Sequence, residues 1–297
     1  MFALRRLAPI GLTLAAAPAW AHHLDGEPQA LPGWTLDGWI VGPLLLAALL
    51  FALGWRRLIE RSGRGRAELK RRGAAYAVGL AVLALALVSP LHEAGERSFA
   101  AHMAEHELIM LVAAPLLVLA EPLPIMLWAF PPGGRRWIGD VAASAPVAAI
   151  WAALSAPITA TLIQAAALWL WHAPALFDRA LASDGWHAAQ HLSFLVSALV
   201  FWSAMLSRRT PRALAALCLV ATSLVSGALG ALMAFATSPW YVGYARLGMA
   251  PFGLTPAEDQ QVAGLLMWVP GGLVHAGAAL ILVRAMLIRP EALRHAR

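Results

Sequence analysis

The sequence has almost no thiol chemistry and little charge. A single cysteine, Cys218, stands among 297 residues, inside an apolar stretch. One cysteine excludes a disulfide framework and any Cys-x-x-Cys metal or redox motif, so metal chemistry here must run on histidine, methionine and carboxylates. Charged residues make up 13% of the chain, where an ordinary soluble domain has roughly 25%. Lysine is nearly missing as well: of 22 basic residues only Lys70 is not an arginine. The formal net charge of +6 raises the question of nucleic acid. The arginines, however, cluster beside apolar runs, where basic residues report membrane orientation, so no nucleic-acid partner is expected. No set of nucleophile, base and orienting group is visible, so the chain is not taken to be an enzyme.

What the sequence does have is apolar length. Hydrophobic residues are 60% of it and the mean hydropathy is +0.68. Residues 1–21 have the form of a secretory signal, with Arg5 and Arg6 ahead of a short apolar core and Ala19-Trp20-Ala21 as the cleavage site. Residues 22–35 then form an extracytoplasmic segment that begins His22-His23. Seven spans are expected within a membrane domain over 36–288, at about 36–58, 73–91, 103–120, 147–172, 187–206, 212–236 and 262–286. Each is long enough, at about 18 apolar residues or more, to cross a hydrocarbon core of about 30 Å. Backbone groups in lipid must find partners within their own segment, and the fold class is therefore an all-α, polytopic membrane helix bundle.

Loop charge sets the orientation. The linker after the first span, RRLIERSGRGRAELKRR, has eight basic residues, whereas alternate loops hold one arginine each, Arg97, Arg179 and Arg246. The positive-inside rule places the mature N-terminus outside and the tail, 289–297 with His295, in the cytoplasm. Pro157 predicts a kink in the fourth span, and the Pro122 to Pro132 stretch a short interfacial or re-entrant piece. Trp20, Trp34, Trp39, Trp128, Trp137, Trp186, Trp202 and Trp240 mostly fall near expected interfaces and need no cofactor to explain them.

On this topology six of the ten histidines fall at the outer face: His92, His102, His106, His172, His187 and His191. His102 and His106 open the third span and His187 and His191 the fifth. Each pair lies one turn apart, separated by about 40° on one stripe. His172 closes the fourth span at the same depth. Imidazoles at i and i+4 can present two nitrogens to one ion, so these five are the candidate metal ligands. Met103 adds a thioether that points about 100° away from His102, and Glu105 is placed to orient an imidazole. With histidine and methionine and no paired thiols, copper fits best and zinc is the alternative. A single interfacial histidine is usually a tolerated polar residue, and His92 is assigned to that class. His275, within the last span, serves either a function or a hydrogen bond between helices, and Gln164 is assigned to packing. Asp259 and Gln260 begin a further polar knot, DQQVAGLLMWVPGG, in which Asp259 either caps a helix or has a functional role.

Three separated stretches, AAHMAEHELIMLVAAPLLVLAEPLP, WLWHAPALFDRALASDGWHAAQHLSFLVSALVFW and DQQVAGLLMWVPGG, resemble the CtaG-type cytochrome c oxidase assembly factors associated with caa(3)-type oxidases. The resemblance runs over essentially all the spans. It carries over His102, Met103, His106 and Pro115, then His172, Pro174, His187 and His191, and finally Asp259, Gln260, Gly264, Met267 and Trp268. It implies a protein of the bacterial plasma (inner) membrane that helps mature a haem-copper oxidase by bringing copper to the catalytic subunit, with oxidase subunits or another copper chaperone as partners. Two other classes compete on the residues alone: a haem-binding membrane electron carrier and a copper transporter. Histidines stacked on one helix are awkward for a single haem, and the polar residues below the outer cluster are sparse for a transport path.

Overall fold

The computed structural model describes residues 32–294 except residue 64, with side chains to residue 288 except at 252. The expected signal peptide, His22, His23 and His295 lie outside the described residues. The described chain is all-helical, without a strand.

Six helices are long and apolar enough to cross a membrane: α1 (Gly38–Arg61), α2 (Arg66–Val88), α4 (Phe99–Ala120), α10 (Asp184–Met205), α11 (Arg212–Ala234) and α13, which runs from Pro256 through Arg294. Shorter helices connect them: α3 (Pro90–Gly95), α5 (Pro122–Met126), α6 (Pro132–Ala143), α7 (Ala145–Leu154), α8 (Pro157–Trp171), α9 (Pro174–Leu181) and α12 (Val242–Leu247). The pairs α6/α7 and α8/α9 are bent by 60° and 73°, and counting each pair as one span gives up to eight. Proline starts most of the short helices, in the first turn where its missing N–H costs nothing.

The expected fourth span, 147–172, is therefore not one helix but two. Ala156 is extended, with ψ 133°, immediately before Pro157. The proline ring excludes the helical conformation for the residue ahead of it and removes a donor, so the chain stops at Leu154 and restarts at Pro157. The last span begins earlier than expected, at Pro256, and stays helical past the point where the tail was expected to start.

α4 and α10 are the innermost spans, with 56% of their apolar windows buried against 17% for α1. Outward faces carry Leu45, Leu46 and Leu49 on α1, Leu217 and Leu224 on α11, and Leu273 and Leu280 on α13. Apolar surface on that scale marks a face that meets lipid. α11 and α13 approach through glycine: a Cβ on Gly230 would lie 2.7 Å from the Gly264 carbonyl oxygen, and one on Gly264 would lie 2.6 Å from the Ala234 nitrogen. Small residues at such crossings let two backbones touch.

Within α4 the turn Leu108–Ala113 widens to π spacing, with Ala114 N–H donating to Ile109 O. Pro115 is the cause, because it has no N–H to give and its ring would strike the carbonyl one turn back. Met110 O, which π spacing would pair with residue 115, is left without its helical partner. Trp202 on α10 supplies one, its indole Nε1 donating at 2.9 Å.

Basic residues collect at one set of helix ends. Arg57, at the end of α1, donates to Trp128 O and Ala129 O at 2.8 Å each. Arg72, at the start of α2, pairs with Glu121 just past α4 at 2.7 Å. The histidines stand at the opposite ends of the same helices, after α2 and at the start of α4.

Candidate metal centre

Three helices build the site. Ser89 caps α3 by accepting from Leu91 N–H at 3.3 Å, which fixes the short helix that carries His92. Tyr244 donates to Gly95 O at 2.5 Å and holds the far end of α3. α4 starts at Ser98, whose hydroxyl oxygen accepts from Ala101 N–H at 3.2 Å. Asp259, on α13, completes the cap: it accepts from Ser98 Oγ at 2.8 Å and from Phe99 N–H at 2.6 Å. Asp259 was expected to cap the start of its own helix or to have a functional role; its carboxylate instead caps α4. Gln260 closes the adjoining loop, accepting from Trp240 N–H at 2.6 Å and donating to Ser238 O at 3.3 Å. Neither residue enters the histidine cluster directly.

On α4 the His102 and His106 rings lie edge to face, 4.3 Å apart, and on α10 the His187 and His191 rings are 4.4 Å apart. The two pairs face each other, with His106 5.0 Å from His191 and His102 stacked 5.2 Å from His187. His102, His106 and His191 each offer a nitrogen such that all three lie within 4.8 Å of one another, and His92, Glu105 and His191 form a second group of the same kind. The two groups share His191. The i, i+4 spacing makes the pairs, and the packing of α4 on α10 makes them converge.

Electrostatics set the site apart from an ordinary core. His102 and Glu105 are completely buried. Among the described residues, both ring nitrogens of His106, His187 Nε2 and Glu105 Oε2 have no hydrogen-bond partner. An unpaired buried polar group costs about 1–3 kcal/mol, a cost that a cation shared by the free lone pairs would offset. Imidazoles with one carboxylate make a donor set for a borderline first-row cation such as copper or zinc. Glu105 does orient an imidazole: its Oε1 is 2.8 Å from His92 Nδ1, and 3.5 Å from His191 Nε2. Burial by itself pulls His92 down. The hydrogen bond and charge of Glu105, with Glu96 and Asp37 behind, outweigh it, so His92 titrates above its ordinary value. Burial raises the phenols of Tyr241 and Tyr244, which stay neutral donors.

His172 lies outside both three-ligand groups. Its Nδ1 is 2.7 Å from Leu168 O, its Nε2 is 3.4 Å from Met103 Sδ, and its carbonyl accepts from Tyr241 OH at 3.2 Å. His92, assigned to the surface by sequence, is instead buried and stacked 5.3 Å from His187. Its membership depends on how α3 folds back, which no local spacing reveals. Glu107 was missed altogether. Its unpartnered Oε2 sits where a Cβ on Gly271 would be 3.4 Å away, and with Gln164, Met110, Met267 and His275 it lines a small cavity. An acidic residue directly after the histidine pair was the available signal. His275 packs parallel to Trp202, 5.7 Å away, and its Nδ1 is 2.7 Å from Gly271 O.

A bundle of membrane-length helices with a buried imidazole cluster at their arginine-poor ends defines a membrane protein with a candidate metal centre. The chain belongs to the cytochrome c oxidase caa3 assembly factor family (Caa3_CtaG), whose sequence profile matches residues 49–288. Uncharacterized proteins of Mycobacterium bovis and Mycobacterium tuberculosis are each 28% identical to it over 205 residues. That stretch is 64% of this chain but 30% of each relative, so the chain spans about a third of their length. No solved structure matches the chain.

Proposed function

We propose that this assembly factor holds copper transiently in the His102, His106 and His191 group and thereby assists maturation of the copper site in the catalytic subunit of a haem-copper oxidase. The observation that carries the reading is the convergence of three buried imidazoles, from two helices, whose ligand atoms lie within 4.8 Å of one another. Membership of the caa3 oxidase assembly family supplies the client class. The arginine-rich helix ends face the cytoplasm by the positive-inside rule, which puts the histidines near the outer surface of the plasma membrane, where an oxidase subunit or another copper chaperone would meet them. His187 packs on the group, and Glu105, held by His92, supplies the adjoining carboxylate 3.5 Å from His191 Nε2. The role is that of a holding site, not an enzyme.

Zinc is the competing ion, since the same donors suit it. The haem reading is not favoured, because His102 and His106 touch edge to face at 4.3 Å and leave no slot between them for a porphyrin. The test is metal binding by the purified full-length protein, offered Cu+ and Zn2+ separately, with and without His102→Ala and His106→Ala together. Less copper bound by the double variant than by the parent supports the reading. A copper stoichiometry undiminished in the double variant, or a protein that takes only zinc, defeats it.

A further inference from the structure

The His172 and Met103 pair is chemically unlike the rest of the site. A carbonyl oxygen can only accept, so the 2.7 Å contact between His172 Nδ1 and Leu168 O places a proton on Nδ1. A neutral imidazole has one N–H, and Nε2 therefore presents its lone pair. Opposite that lone pair, at 3.4 Å, is the Met103 thioether sulfur, which is itself an acceptor. Two buried Lewis bases thus face each other with no proton between them. Both side chains are held: Met103 is 2% exposed and His172 3%, and Tyr241 fixes the His172 carbonyl from behind. Donation from the other ring nitrogen to a backbone carbonyl is also how metal-bound histidines are usually oriented.

The separation has a further meaning. A first-row ion about 2.0 Å from an imidazole nitrogen and about 2.3 Å from a sulfur would subtend about 105° between donors 3.4 Å apart, close to the tetrahedral angle. We propose that His172 Nε2 and Met103 Sδ form a second, softer station that takes Cu+ beside the all-nitrogen group. Thioether sulfur selects cuprous copper, whereas imidazoles serve copper and zinc alike. The station therefore supplies a preference for copper that the three imidazoles lack. Two fixed donors leave coordination positions open, which suits an ion that must be passed on. This inference rests on the proposed copper-holding role and deepens it by naming the oxidation state and a second stop.

The test uses full-length protein in detergent, loaded anaerobically with Cu+ against a competing cuprous chelator and examined by copper-edge X-ray absorption. Four proteins are compared: the parent, Met103→Leu, His172→Gln, and His102→Ala with His106→Ala. The parent is expected to show a sulfur neighbour at about 2.3 Å. Met103→Leu, which keeps the buried volume, should lose that neighbour, keep the nitrogens, and bind about one ion where the parent binds about two. His172→Gln should lower the same sulfur signal, and zinc stoichiometry should be unchanged by Met103→Leu. Copper bound through nitrogen alone in the parent, or a sulfur signal that survives Met103→Leu, overturns the soft station while leaving the copper-holding role intact. A double histidine variant that still binds as many copper ions as the parent, with the sulfur signal still tied to Met103, would sink the imidazole group and spare the station.

Discussion

Asp259, from the last helix, accepts the Phe99 backbone N–H at 2.6 Å and so fixes the first turn of the helix that carries His102 and His106. The residues are 160 positions apart, yet one carboxylate sets where the helix of the candidate site begins. A carboxylate at a helix N-terminus meets free N–H groups and the positive end of the dipole, and here it is buried. Asp259→Ala removes charge-assisted bonds and strands the Phe99 donor. It should lower stability by about 2–4 kcal/mol, read as a lower melting temperature in detergent. Metal affinity should fall with it, although Asp259 touches no candidate ligand. An unchanged melting curve would show that the cap is dispensable.

Trp202→Phe isolates the consequence of the π turn. The ring that stacks on His275 is kept in kind, but Met110 O loses its only donor beyond the helix. The expected cost is about 1–3 kcal/mol for a buried carbonyl left unpaired. Thermal unfolding of the variant beside the parent measures it, and equal stability would mean that water or a lipid headgroup replaces the indole.

Glycine substitutions should separate backbone contact from side-chain contact. A Cβ at Gly264 would meet Gly230 O and Ala234 N, at 2.5 and 2.6 Å, which cannot move away without parting the two helices. At Gly227 the nearest atom is Trp268 Cδ1 at 3.2 Å, and a side chain can turn. Gly264→Ala should therefore reduce folded yield and melting temperature severely and Gly227→Ala mildly. Equal effects would contradict the close crossing.

Much of this was legible in sequence, for definable reasons. Membrane-length apolar runs and the two i, i+4 histidine pairs are local patterns, and a helix carries them unchanged into the structure. Met103 lies about a third of a turn from His102 by helical geometry, and it does face elsewhere, toward His172. What sequence missed depends on tertiary contact. His92 joins the cluster only because α3 folds back on α4. Asp259 sits at the start of its own helix, and nothing nearby shows that it caps another. The break before Pro157 was expected as a kink, but the chain instead leaves the helix there: Ser155 N–H makes the last bond of one helix, to Trp151 O, and Ala156 is extended before the next begins.

Glu105→Gln changes one charge with little change of shape. In the metal-free protein, Glu105 opposes the effect of burial and keeps His92 titrating above its ordinary value. Without that charge, burial prevails, and the imidazole should titrate at lower pH than in the parent, as histidine NMR resonances would show. Metal affinity should also weaken by about 10–100-fold, the usual cost of removing a ligand's orienting partner. A His92 titration unmoved by the substitution would contradict the pairing.

The central claim is that the His102, His106 and His191 group serves copper delivery to an oxidase. It is tested most directly by purifying that oxidase from cells whose only copy of this protein carries His102→Ala and His106→Ala, then measuring copper and haem per oxidase. The account predicts oxidase with its haem retained and its copper largely lost. Copper at the parental level, or copper and haem lost in equal proportion, would contradict it.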